Sequence, residues 1–377
     1  MQSPWLQVDL GALDRNIRQV REAVGSRTSV VFVIKANAYG HGLLPVARQA
    51  ARSGIRWFAV AYLQEALQAR RVSEDARIVV LGAASPEDVP ALLEYRILPV
   101  LVSQEQALAL GAAARARGQR LRAHLKIDTG MGRFGVPWSD AAVVFARLRE
   151  EPGLDITGLC THFASVEAKK PSLGPEQMER FRSVETQLRA LAPGPLFRHV
   201  SSSRAFLYQQ DWDLDGVRPG IILYGYGAGE RGMRIRTTPV LQWKTTVLQV
   251  KRVPAGFPVG YYSQYTTAAP TTIATIAAGY ADGYARALSN RGFVLIGGRR
   301  CAVVGRVSMN WITVDCGPDH PVQVGDEVVL IGRQGEATIW ADELARLART
   351  IPYEILTSIN ALAERRYTPS ASLPDVT

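Results

Sequence analysis

Residues 13–35 read LDRNIRQVREAVGSRTSVVFVIK. The first half sets Leu13, Ile17, Val20 and Val24 on one face of a 3.6-residue helix, with Asp14, Arg15, Arg18 and Arg21 off it. The second half closes with VVFVI (30–34), an apolar run of strand length, and then Lys35. An amphipathic helix joined to a strand that is apolar throughout is the unit of a parallel sheet covered by helices. Further apolar runs stand at 57–61 (WFAVA), 78–81 (IVVL), 97–102 (ILPVLV), 121–127 (LRAHLKI), 156–163 (ITGLCTHF), 197–201 (FRHVS) and 217–224 (VRPGIILY), with helical stretches such as 104–117 and 176–191 between them. Eight strands in this alternation predict an α/β chain with a (β/α)8, TIM-like barrel.

After YGYGAGERGMRIRTTP the character changes to β-branched and aromatic runs at 240–250, 271–277, 293–296, 302–304, 311–316 and 327–331, punctuated by Gly and Pro. That pattern predicts a mostly antiparallel β-domain. We place the barrel at 1–230, its first ten or so residues being free to pair with the β-domain instead. The β-domain follows at 231–377, with short helices at 341–349 and 353–364 and a loose Pro- and Ser-containing tail.

Composition narrows the classes. At 377 residues and 47% hydrophobic, the chain can bury two cores, and no window approaches the roughly 18 apolar residues of a membrane span. The start, MQSPWLQVDL, has neither a basic n-region nor an apolar h-region, so a cytoplasmic protein without membrane attachment is expected. Cys160, Cys301 and Cys316 are too few and too irregular for a disulfide framework or a zinc site, and no metal is expected. The formal charge of +10 is scattered along helices and not massed in one block, which argues against nucleic acid and suits attraction of small anions.

In a barrel, reactive groups belong at the C-terminal ends of the strands, where Lys35 stands. An amine there either snorkels to water or, its pKa lowered by apolar surroundings, forms a Schiff base with an aldehyde cofactor. VRPGIILYG offers Arg218 and the N–H groups of Gly220 and Ile221, and HVSSSRA offers the hydroxyls of Ser201, Ser202 and Ser203. N–H donors and hydroxyls in the last two βα loops commonly bind phosphate. Lysine, phosphate cradle and arginine together fit pyridoxal 5'-phosphate.

VIKANAYGHG, HLKIDTGMGRFG, THFASVE, VRPGIILYG, AAGYADGY, VVGRVSMN and IPYEIL stand in the order and at the spacings of alanine racemases, and the chain resembles that family from about residue 5 to 367. The resemblance implies a fold-type III pyridoxal-phosphate enzyme that works as a head-to-tail homodimer with shared active sites. Lys35 would carry the cofactor, Tyr39, Ser203, Gly220, Ile221 and Tyr353 would surround its phosphate, and Arg218 would face its pyridine nitrogen. Tyr280, from the partner subunit, would be the second base, with His162 beside it and also meeting Arg218. Arg133 would bind the cofactor's phenolic oxygen and the substrate carboxylate side, while Met309 and its neighbour Asn310 would line the substrate side. Lys126 matches a lysine often carbamylated in this family; the other reading is an unmodified lysine paired with an acid such as Asp128.

Racemisation takes a proton from one face of a planar centre and returns it on the other, so two bases must flank that plane. Phenols titrate near pH ~10 and are poor bases at neutrality, so a tyrosine in this role needs positive or hydrogen-bonding neighbours. An arginine has no proton to give, so it would leave the ring nitrogen unprotonated and favour reprotonation at Cα.

Three positions depart from the commoner family pattern: Ser202 where Asn is usual, and Ser308 and Asn310 where Met309 is usually flanked by Cys and Asp. An amide in place of a carboxylate changes the local field, which bears on substrate choice more than on reaction type. The expected function is interconversion of L- and D-alanine for the bacterial cell wall. The alternatives are a serine or broader racemase, since an apolar pocket rejects an added hydroxyl weakly, a fold-type III decarboxylase, or a non-catalytic pyridoxal-phosphate barrel. A decarboxylase would not need Tyr280, and a carrier barrel would not need the β-domain.

Overall fold

The computed structural model describes residues 3–166, 172–227 and 233–369. The expected 230/231 boundary, the end of THFASVE and the tail from residue 370 lie outside the described residues. The chain divides into two compact units. One comprises Leu13–Ala38 and Leu43–Thr238; the other takes the first residues to Ala12, the segment Tyr39–Gly42 and everything described from Pro239 onward.

The first unit is a closed parallel barrel. Its strands are β2 (Ser29–Val33), β3 (Trp57–Val60), β4 (Arg77–Val80), β5 (Ile97–Leu101), β6 (Leu121–Asp128), β8 (Leu154–Cys160), β9 (Phe197–Ser202) and β10 (Gly216–Arg218), which follow β1 (Trp5–Asp9) in the chain; β7 (Val136–Pro137) adds one short pairing beside β6. Each barrel strand pairs in parallel with the next. β10 closes the ring by pairing with both β9 and β2. Every residue of β3 and β5 is buried, as the continuous apolar runs require of strands covered on both faces. The expected helical stretches form at Gln104–Arg115 and Gly174–Leu191. Helix α1 (Leu10–Val24) buries Leu13, Ile17 and Val20 completely.

The expected strand 217–224 is a correction: it stops at Arg218. Pro219 has no N–H to offer a ladder. The backbone then coils into turns, Leu223 N–H donating to Gly220 O at 2.9 Å and Gly225 N–H to Ile222 O at 3.1 Å.

The second unit is built on β11 (Leu241–Val253), β14 (Thr271–Ile276), β15 (Phe293–Ile296), β16 (Arg299–Val303), β17 (Ile312–Gly317) and β18 (Glu327–Gln334). β12 (Pro258–Val259) and β13 (Tyr265–Thr266) form a separate small ribbon, and β19 (Ala337–Ile339) edges β18. The six main strands form an antiparallel ring, because β18 pairs back onto β11. β1 pairs with β11, and β20 (Glu364–Thr368) lies parallel to β1. The helix expected at 353–364 is shorter, Pro352–Thr357. The backbone of Glu364–Thr368 is instead taken up by the ladder with Trp5–Asp9.

Candidate active site

The C-terminal ends of β9, β10 and β2 are neighbours in the barrel, and chemistry-bearing side chains follow each of them. After β9, Ser203 is buried and its hydroxyl accepts the Gly220 N–H at 2.9 Å. After β10, Pro219 O accepts from Val33 N–H of β2 at 2.9 Å, which sets Gly220 and the buried Ile221 against the last residues before Lys35.

Lys35 is held below the usual lysine range by burial and by Arg133, against a smaller opposite pull from Glu65. Glu65 does not salt-bridge the amine; its carboxylate accepts backbone N–H bonds from Ala36 at 2.6 Å, Ala61 at 2.8 Å and Tyr62 at 3.3 Å. These bonds brace the ends of β2 and β3. Directly after Lys35 the backbone turns left-handed, with φ near +53° at Ala36, Asn37 and Ala38 and +52° at Tyr39. Non-glycine residues pay about 1–2 kcal/mol each for that conformation. Anchors hold it: Ala38 N–H donates to Ile34 O at 2.9 Å, and Asn37 Oδ1 accepts from Leu43 N–H at 2.8 Å.

Arg218 is buried, and its guanidinium donates to Thr161 O at 2.7 Å, Val200 O at 3.0 Å and His199 O, and contacts His199 Nδ1 at 2.9 Å. His199 Nε2 lies 2.9 Å from His124 Nδ1, so a buried imidazole pair stands behind the arginine. Burial, with Arg122 and Arg218 nearby, pushes His124 down to about 3, and burial with Arg218 drives His199 well below its ordinary range. The histidine that hydrogen-bonds Arg218 is therefore His199. His162, named for that contact from sequence, feels Arg218 through space: burial first, then Arg218, Lys126, Arg133 and Lys35 push it down to about 3. Gln177 fixes its backbone, donating to His162 O at 3.1 Å.

Lys126 is buried, its ammonium 5.7 Å from the Phe134 ring centre, and burial, Arg218 and Arg133 lower its pKa against opposing pulls from Cys160 and Asp128. Asp128 is occupied elsewhere, accepting the N–H groups of Gly130 and Met131 at 2.9 Å and of Gly132 at 3.0 Å. No carboxylate among the described residues lies within ion-pair distance of the Lys126 amine. Lys35, Lys126, Arg133 and Arg218 thus converge on one end of the barrel, where the carboxylates of Glu65 and Asp128 are both engaged by backbone N–H groups. That donor set suits a dianionic phosphate and a carboxylate. No group of three metal-ligating side chains is present among the described residues.

In the second unit, the Tyr39 and Tyr353 rings lie 5.8 Å apart, and burial with Tyr353 raises the Tyr39 phenol. Tyr39–Gly42 is tied to β20 there, Arg365 donating to Gly40 O at 2.8 Å. Gly40 has φ +84°, and a Cβ on it would meet Leu356 O at 2.5 Å. Tyr280 and Met309, 43% and 56% exposed, share a backbone link: Tyr280 N–H donates to Ser308 O at 3.0 Å and Ala281 N–H to Met309 O at 2.9 Å. Asn310 is exposed beside them.

Glu65, His199, His124 and Gln177 were not singled out from sequence. Glu65, three residues after Tyr62 at a helix start, carries a capping signal. Three of the five histidines, His124, His162 and His199, stand inside the apolar strand runs, which was the available hint for the imidazole pair.

Residues 8–228 match the family model described as alanine racemase, N-terminal domain, and residues 240–367 the one described as alanine racemase, C-terminal domain. An alanine racemase of Carboxydothermus hydrogenoformans is 41% identical over 369 residues, covering 97% of this chain and 100% of that protein. The crystal structure of an alanine racemase from Bacillus anthracis with bound L-Ala-P is similar at a TM-score of 0.91 and 32% identity, covering 99% of this chain and 96% of that one. One from Bartonella henselae with covalently bound pyridoxal phosphate is similar at 0.88 and 30%, covering 98% and 100%.

Proposed function

The chain belongs to the alanine racemase family, and from that membership we propose that it racemises alanine by a two-base mechanism on pyridoxal 5'-phosphate, in the cytoplasm of a bacterium that needs D-alanine for peptidoglycan. The observation that carries this reading is Lys35, an amine held below its ordinary range at a strand end among three further cations.

The residues fit the cofactor: Lys35 would hold its aldehyde carbon, Ser203, Gly220, Ile221, Tyr39 and Tyr353 its phosphate, and Arg218 its ring nitrogen. When bound, pyridoxal phosphate supplies a carbonyl that takes up the substrate amino group and a conjugated ring that acidifies the α-hydrogen. Lys35 Nζ, neutral more readily than an exposed lysine, takes or returns that proton on one face. Tyr280 Oη from a second copy of the chain does so on the other face. Arg218 would offer the ring nitrogen a donor without a proton to release, which would disfavour protonation of the ring and favour return of the proton to the substrate's Cα. Arg133 positions the substrate carboxylate, and Met309 with Asn310 bounds the side chain.

A homodimer is part of this reading. Tyr261, Tyr262, Tyr280, Met309 and Trp311 are large, exposed and carried on one unit, which supports a surface for a second copy of the chain. At Lys126, a buried amine without a carboxylate partner supports carbamylation, which would turn a cation beside Arg133 into an anion that orients it.

Chiral analysis of products from L-alanine and L-serine, given in parallel to the protein loaded with pyridoxal phosphate, tests the assignment. D-alanine formed well ahead of D-serine is expected. D-serine at a comparable rate would make it a broader racemase, and no D-product would overturn racemisation. Tyr280→Phe should retain the cofactor's absorbance and lose turnover; unchanged turnover would remove the second base.

A further inference from the structure

Cys301 lies in β16 and Cys316 in β17, and the fold brings them together. These strands pair antiparallel, Ala302 opposite Asp315 and Val303 opposite Val314, so one step further the register sets Cys301 opposite Cys316. Val304 N–H donates to Thr313 O at 2.9 Å, which makes 304/313 and, two steps on, 302/315 hydrogen-bonded pairs. Cys301 and Cys316 stand one step beyond the last pair of this ladder, at a position of the non-hydrogen-bonded type, in which Cα atoms lie about 4.5 Å apart and side chains approach closest. Disulfides span Cα separations of about 4.4–6.8 Å.

The side chains already interact. Each thiol acts on the other: the neighbouring Cys316 holds the Cys301 thiol below its ordinary range, while Cys301 and burial hold the Cys316 thiol above it. Both cysteines are free; Cys301 is buried and Cys316 only half-buried, so reagents reach the pair from the Cys316 side. The third cysteine, Cys160, is buried in β8 of the other unit, and burial raises its thiol.

We propose that Cys301 and Cys316 are a reversible oxidation site, closed to a cross-strand disulfide by hydroperoxides and reopened by dithiols. In the closing step two S–H bonds and the peroxide O–O bond break, one S–S bond forms, and the two sulfurs give up two electrons. With hydrogen peroxide the oxygens leave as two waters carrying the thiol protons. The bond joins the roots of the β16–β17 hairpin, whose tip holds Met309 and Asn310 and accepts the backbone N–H groups of Tyr280 and Ala281. Oxidation clasps that tip.

The test is to expose the full-length, pyridoxal-phosphate-loaded protein to hydrogen peroxide, alkylate remaining thiols under denaturing conditions, and map peptides by mass. Expected are a Cys301–Cys316 linked peptide lighter by two hydrogens, Cys160 alkylated, and recovery of three alkylated thiols after dithiothreitol. Cys301→Ser and Cys316→Ser should each abolish the link, and amide exchange across residues 304–311 should slow on oxidation. Three thiols persisting at peroxide levels that oxidise free cysteine, or oxidation of the cysteines separately to sulfinic acids, would overturn the site. A linked pair with unchanged exchange at 304–311 would overturn the clasp. None of these readouts depends on which amino acid is racemised.

Discussion

Lys35 and Arg218 show what single residues disclose before folding. A lysine closing an apolar strand and an arginine before Pro-Gly at another strand end carry their chemistry in their positions, because barrel strands aim their C-terminal ends at one face. His199 and Glu65 carry none until tertiary neighbours arrive: one becomes the partner of Arg218, the other the acceptor of three backbone N–H groups. Truncating His199 to Ala leaves a buried guanidinium N–H short of an acceptor, so about 1–3 kcal/mol should be lost in urea unfolding. His199→Asn should recover part of it; equal stability of wild type and His199→Ala would sever the link to Arg218. Lys126 tests differently. If its buried amine is unmodified and without a counter-charge, Lys126→Met removes a desolvated cation and keeps the volume, leaving the unfolding midpoint unchanged or higher. If the amine is carbamylated, as proposed, the same variant loses activity, and added bicarbonate raises wild-type but not variant rates.

At the scale of elements, the eight barrel strands were legible because hydrophobic runs covered by helices leave a period that survives without tertiary context. Two elements were not. The last barrel strand was overextended because IILY reads as strand-forming, yet Pro219 ends the ladder before it. Nothing in KANAY announces a left-handed turn, yet its residues adopt that region, held by Glu65 and by the Asn37 side chain. That conformation predicts an inverted tolerance at Ala36: Ala36→Val should lose more than about 1 kcal/mol in urea unfolding, because a β-branched side chain crowds the following carbonyl, while Ala36→Gly should lose nothing. Equal losses would contradict the left-handed turn. Glu65→Ala removes the acceptor for all three N–H groups and is expected to cost about 2 kcal/mol or more, with the cofactor's absorbance weakened as Lys35 loosens.

For the whole molecule, the buried imidazole pair sets a pH limit. His124 and His199 titrate far below the ordinary 6.5 in the folded chain, whereas the unfolded chain takes up their protons near that value. Stability is therefore fully present above the unfolded value and falls as pH drops below it, by at most about 1.4 kcal/mol per pH unit for each histidine. Urea midpoints should fall between neutral pH and about pH 5, and His124→Gln should flatten that fall; a midpoint independent of pH would show that the imidazoles already carry protons when folded. Sedimentation should give a dimer whose dissociation by dilution parallels loss of activity, and a fully active monomer would exclude a shared site.

One ladder bears on biosynthesis. Trp5 of β1 stands beside Glu364 of β20, and both belong to the sheet of the second unit. All eight barrel strands are translated after β1 and before either of its partners, β11 and β20, so WLQVD leaves the ribosome with both edges bare. That interval exposes WLQVD as an unpaired edge, so the nascent chain, unlike the finished one, is expected to be a client of holdase chaperones.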